Sequence, residues 1–318
     1  MTEIDKVNKI RAEMRSECID AYMIPMRNNF LDNDLKSHEM RIKYISKFSG
    51  SAGQIFIASH KAAIFIDGRY TLQAKLEVNQ KIFEINEIGL QNYTNWIEKN
   101  LPKNCIVGYD PKLFSMTEIK NYEKKFENHN VILKSISSNL VDRISLKSPS
   151  QKKLIISDHK IKYSGATRAE KLGKLRDNFI KNQEEVIFIG DCNFISWLTN
   201  LRAYRKKYNP VIPAYCLVTM NNCHLFIESC SISRNVATKI SNDIKIHDMK
   251  DFERDITSLV KNKNAVRLDK EYTTIFVQEI FKKLNIQISH QHDINHGKAI
   301  KNTVELQSFK KAHKLDAL

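Results

Sequence analysis

The sequence predicts an α/β fold: two tandem, similar domains, each a mixed β-sheet flanked by helices. Three observations carry that expectation. Short apolar runs rich in Ile, Val and Phe alternate with stretches whose apolar residues recur at helical spacing. Several of the runs come in pairs joined by short polar turns, which reads as hairpins. The same order of elements then occurs twice, about 160 residues apart, a period too long for a solenoid and suited to tandem domains.

In the first half a helical pattern over 4–18 leads into the buried run AYMIP, Ala21–Pro25. In the second, Arg168–Asn182 carries Leu172, Leu175 and Phe179 at helical spacing and leads into VIFIG, 186–190. Paired runs follow in each half: QIFIAS and AAIFID around the turn SHK, then AYCLVTM and HLFIE around NNC. Each half continues with a helical stretch, around Trp96 or over 256–259. A short strand ending in Asp comes next, at Asp110 or Asp269, and a last helix follows, over 117–126 or 274–284. The boundary is expected in the polar segment from about Ser138 to Gly165, which includes KSPSQKK.

The 318 residues suffice for two domains with their own cores, and 42% are hydrophobic. No stretch approaches the roughly 20 uncharged apolar residues of a membrane helix. The N-terminus is charged from its third residue and has no apolar h-region, so no signal peptide is expected and a cytoplasmic location is the default. Of the six scattered cysteines, which form no C-x-x-C pair, most read as small core residues in a reducing compartment. Cys223 and His224 are adjacent in a strand-like run, so they point to opposite faces and do not chelate together. The net charge of +15 raises nucleic-acid binding, but the lysines spread along the whole chain. The densest cluster, Arg205-Lys206-Lys207, is too brief to define a groove. Specific nucleic-acid recognition and membrane partners are therefore not expected.

Several segments, in order, resemble those of aminopeptidase P, the creatinase/prolidase-type Xaa-Pro aminopeptidases. They are AYMIP, RIKYISKFSGSAG (41–53), DGRYTLQA (67–74), NLVDRI (139–144), YSGATRAEKLGKLR (163–176), ISWLTNLR with YNPV (195–211), and KAIKNTVELQSFKKAHKLDAL (298–318). The resemblance implies creatinase N-terminal-like domains of ribonuclease H-like fold: domain I over 1–137, a linker over 138–165 and domain II over 166–300. Residues 301–318 would form the first helix of a catalytic domain III. It also implies the chemistry of the whole family, removal of an N-terminal residue that precedes proline. Two manganese ions held by two Asp, one His and two Glu of the C-terminal domain would hold and activate the attacking hydroxide. None of those ligands maps onto 1–318, so no catalytic, cofactor-binding or metal residue is assigned. This sequence has Ala203 where the family has Gly after the Asn-Leu-Arg run, which would alter a turn if the position needed positive φ.

The last segment supplies Asn302 as an N-cap candidate with Glu305 three residues on, then the apolar stripe Leu306, Phe309, Ala312 and Leu315. A helix of about 15 residues is marginal alone, so a downstream element is expected to cover it. The reading that follows is a non-catalytic N-terminal portion of an Xaa-Pro aminopeptidase-like metallopeptidase, inactive alone and shaping substrate access or assembly. The alternatives are complementation of a separately encoded catalytic domain and a peptide-binding or scaffold module; proline-containing peptides are the full-length family's ligands. Four features carry lesser expectations. FSGSAG (48–53) reads as a tight turn before an anion cradle. Asp67 reads as a helix cap with Arg69 paired to a carboxylate. His290, His292, Asp293 and His296 read as an interdomain connection with adventitious metal affinity. Trp96 and Trp197 read as packing.

Overall fold

Thr2 accepts from the Asp5 amide and Asp5 answers to Thr2, and this capping box opens α1 (Glu3–Ser16), which buries Val7, Ile10 and Met14. The chain then runs through β1 (Ala21–Pro25), α2 (Arg41–Ser46), the hairpin β2 (Gly53–Ala58) and β3 (Ala62–Ile66), α3 (Thr71–Glu77), β4 (Glu84–Glu87) and α4 (Leu90–Asn100). It continues with β5 (Ile106–Tyr109), α5 (Met116–Phe126), β6 (Ile132–Ser135) and α6 (Leu140–Ile144). This computed structural model describes residues 1–145, 154–182, 185–204, 209–290 and 296–317.

The second half holds β7 (Ile155–Asp158), α7 (Ile161–Ser164), α8 (Arg168–Asn182), β8 (Val186–Ile189), α9 (Cys192–Thr199) and β9 (Leu201–Tyr204). The hairpin β10 (Tyr215–Thr219) and β11 (Cys223–Ile227) follows, with α10 (Arg234–Ile240), β12 (Lys245–Asp248) and α11 (Phe252–Val260). It closes with β13 (Ala265–Leu268), α12 (Ile275–Lys283), β14 (Gln287–His290), α13 (His296–Ala299) and α14 (Thr303–Asp316). The chain divides into two compact units, Met1–Gln151 with Thr274–Phe276, and Lys152–Thr273 with Val277–Leu318.

Each unit is built on a six-stranded mixed sheet, and the two orders correspond strand for strand: β4-β3-β2-β1-β5-β6 and β12-β11-β10-β8-β13-β14. β1 lies antiparallel to β2, with Met23 opposite Phe56, and parallel to β5, with Tyr22 opposite Gly108. β8 repeats this, antiparallel to β10 with Phe188 opposite Leu217, and parallel to β13 with Phe188 opposite Leu268. Helices cover both faces of each sheet, so the central strands read as continuous apolar runs. Strand alternation sorts the side chains. In the first unit Ile55, Ile57, Ile64 and Ile66 pack with Val7, Ile10 and Met14 of α1, while Phe56 and Phe65 meet Tyr93 and Trp96 of α4. In the second, Ile187, Cys216 and Leu225 pack with Leu172 and Phe179 of α8. Phe188, Tyr215 and Phe226 face Phe252 on the other side.

The structure adds to the sequence reading in two places. The segment expected to be linker holds α6, whose Leu140 and Val141 join the first unit's core, as well as β7 and α7, and β7 pairs antiparallel with β9, Ile156 opposite Ala203. The outer strands β4, β12 and β14 carry mostly polar residues and gave no apolar run, as edge strands do. Ala203 sits in β9 without a positive φ, so the absence of Gly there costs no turn. The charged run at 205–207 lies outside the described residues.

Candidate functional site

A cleft of about 460 Å³ in the second unit gathers three of the segments singled out in the sequence. α8 brings Lys171, the end of α9 with β9 brings Trp197 and Arg202, and α14 brings Glu305. Lys171 is 3% exposed. Its Nζ donates to the Trp197 carbonyl at 2.8 Å and to Asn200 Oδ1 at 2.7 Å, and it lies 4.4 Å from the centre of the Trp197 ring. Burial pulls its pKa down to about 8. Arg202 Nη1 donates to the Ser196 and Leu201 carbonyls at 2.5 and 2.9 Å. Both cations thus sit on the carbonyl end of α9, where orphan acceptors and the negative dipole end favour positive charge.

Trp197 Nε1 donates to Glu305 Oε1 at 2.9 Å. Glu305 Oε2 accepts the Asn302 amide at 3.0 Å, and Asn302 Oδ1 accepts the Glu305 amide at 3.0 Å, which completes the capping box at the start of α14. Asn302 Nδ2 reaches the Ser164 carbonyl at 2.9 Å. Gly165, at φ +67°, ends α7 beside it, and a Cβ there would stand 2.2 Å from Asn302 Oδ1. The charged groups of the cleft are thus spent on helix ends and on seating α14. The arrangement anchors a helix.

The other sequence features resolve locally. The FSGSAG turn does receive an anion, the carboxylate of Glu77, which accepts the Ser49 amide at 2.7 Å and its hydroxyl at 2.6 Å. Ser51 Oγ meets the Tyr70 hydroxyl at 2.6 Å. Asp67 accepts the Arg69 amide at 3.0 Å and its Nε at 2.8 Å, so it caps the turn entering α3 and pairs with Arg69. Trp96 is buried in the aromatic face of the first sheet and donates to Glu84 at 3.0 Å. Cys223 packs on Cys216 in the core while His224 faces the opposite side. His290 ends β14; His292 and Asp293 lie outside the described residues.

The sequence reading passed over two polar clusters. Lys171 shares the helical face of Leu175 and Phe179 at intervals of four, so a lysine on an apolar stripe was the available signal. His224 Nδ1 lies 2.9 Å from His247 Nε2, and His247 Nδ1 lies 3.1 Å from Asp255 Oδ2. Burial first, and His247 second, pull His224 down to about 4. These imidazoles bond to one another and to one carboxylate. Among the described residues no group of three or more His, Cys, Asp or Glu is placed to hold a metal ion. The donors present among the described residues do not fit a two-metal centre.

The creatinase/prolidase N-terminal domain is matched twice, over residues 6–144 and over residues 147–305. The chain belongs to this family. Among curated relatives, a probable Xaa-Pro aminopeptidase P of Laccaria bicolor is 29% identical over 97% of this chain and 49% of its own length. Xaa-Pro aminopeptidase 1 of Dictyostelium discoideum is 27% identical over 98% of this chain and 51% of its own length. The chain therefore spans about half the length of the curated relatives it matches. An X-prolyl aminopeptidase from Caenorhabditis elegans, described as a cytosolic enzyme with a di-nuclear active site, superposes with a TM-score of 0.88 at 23% identity. That match covers 98% of this chain and 54% of the other, and extends the shared fold across both creatinase/prolidase N-terminal domains. No helix among the described residues is long and apolar enough to cross a membrane.

Proposed function

We propose that these 318 residues are the non-catalytic half of an Xaa-Pro aminopeptidase-type metallopeptidase, two domains that shape peptide access and seat a catalytic domain. The tandem match to an N-terminal domain family, within relatives about twice as long, is the observation that carries this reading. The domains are proposed as 1–137 and 166–300, with α14 leading toward the catalytic domain. That helix is fixed at its start by Asn302 and Glu305, while Leu306, Phe309 and Leu315 are 49%, 51% and 64% exposed. An apolar stripe of this kind is what a following domain would cover. The two metal ions, proposed to be manganese, and the proline-containing substrate would sit on that domain. A cytoplasmic setting fits six cysteines outside any disulfide and the relative described as cytosolic.

Mixing the purified chain with the catalytic half of a relative, expressed separately, tests the seating role. Association at micromolar concentration, weakened by Phe309→Asp, is the expected result. No association, or association indifferent to Phe309, would remove the seating role.

A further inference from the structure

We propose that the first unit carries a groove for a short uncharged peptide segment, with the Gln54 side-chain amide reading a backbone carbonyl. This goes beyond the reading above and needs no catalytic domain.

Two cavities, of about 330 and 210 Å³, both touch Met26 and Asn33 and lie where β1 ends and the FSGSAG turn enters β2. Together they fall within the range of about 300–1,000 Å³ usual for ligand sites. The larger is lined by Gln54, Tyr122, Arg27, Glu118, Asn121 and Leu90. The smaller is mostly apolar, with Leu35, Met40, Ile42 and Phe48 beside Met26.

Gln54 decides the chemistry. It is 6% exposed, and its Oε1 accepts the Tyr122 hydroxyl at 3.0 Å. Its Nε2 is buried without a hydrogen-bond partner among the described residues. Folded proteins seldom leave such a donor unpaired, and an acceptor delivered by a ligand would satisfy it. The Tyr122 hydroxyl donates to Oε1, which leaves the amide nitrogen as the free end.

Charge selects the kind of acceptor. Arg27 Nη1 is paired with Glu118 Oε1 at 2.5 Å, and Glu118 Oε2 accepts the Ser115 amide at 3.0 Å. The smaller cavity balances Asp34 with Lys43. A groove whose charged lining sums to zero gives an anion no surplus cation to pair with. A peptide carbonyl is a neutral acceptor of the right kind, and an adjacent apolar side chain would fill the lobe under Met40.

The test is calorimetric titration of the whole 318-residue chain with acetyl-Ala-Leu-Ala-amide, alongside the charged control acetyl-leucine. Saturable binding of the blocked peptide, millimolar or tighter, is expected, with weaker binding of the acid. Gln54→Leu should weaken the peptide at least about tenfold, with a fall of a few degrees in the thermal midpoint because the buried Tyr122 hydroxyl loses its acceptor. Met40→Lys, at a site already 38% exposed, should weaken it without unfolding the chain, and decides the matter if Gln54→Leu fails to fold. The proposal is overturned by no saturation at about 10 mM peptide, where a millimolar site would be filled. Preference for the acid, or unchanged affinity in the variant that folds, overturns it equally.

Discussion

Replacing Gly165 by Ala should loosen α14 from the second unit. Gly165 holds φ +67°, and an added Cβ would lie 2.2 Å from Asn302 Oδ1, the atom that caps the helix through the Glu305 amide. A side chain in that left-handed conformation costs about 1–2 kcal/mol. Displacing the Asn302 cap adds about 1 kcal/mol. The sum of about 2–3 kcal/mol corresponds to a fall of about 5–10 °C in the midpoint of a unit of this size. Thermal unfolding followed by circular dichroism is the assay, with Asn302→Ala and the double variant measured beside it. Because the two changes damage the same contact, the double variant should cost about 1 kcal/mol less than the sum of the singles. A Gly165→Ala midpoint equal to the parent, or strict additivity, would refute the account of how α14 is seated.

Acid stability should report on His224, which is 5% exposed and held near pKa 4 against an ordinary 6.5. A depressed folded pKa gives stability that is present in full above pH 6.5 and lost as pH falls toward 4, about 3 kcal/mol at most. Denaturant melts of His224→Phe between pH 7 and pH 4 should show a shallower decline than the parent. Arg41, 7% exposed, holds Asp142 through bonds of 2.9 and 2.8 Å. Arg41→Met should cost about 2–3 kcal/mol in urea unfolding, since it strands a partner, with the half-exposed Asp142 keeping the loss at the low end. A cost below about 1 kcal/mol would show the pair to be incidental.

What the sequence made legible was the repeated order of central elements, and the physical reason is burial. AYMIP and VIFIG stand mid-sheet with helices on both faces, so every residue in them is apolar or small. The pattern over Arg168–Asn182 marked a helix because Leu172, Leu175 and Phe179 line one buried face. The edge strands escaped because EINE, KIHD and QISH have only one apolar residue each and take their conformation from pairing with β3, β11 and β13. The cleft escaped for another reason. Lys171 and Arg202 are ordinary surface residues by type, and only the fold brings them to the carbonyl end of α9, 26 residues from Lys171 in sequence at Trp197. The capping box at Asn302 was legible because both partners lie three residues apart; its bond to Ser164, 138 residues away, was not.

We propose that these two creatinase/prolidase N-terminal domains do no peptide hydrolysis by themselves. Incubating the purified 318-residue chain with an Arg-Pro-Pro peptide and added manganese, and measuring release of free arginine, tests it most directly. No turnover above the metal-only blank is expected. Turnover that persists through repurification and is abolished by a chelator would contradict it, and would mean that these residues assemble a metal site of their own.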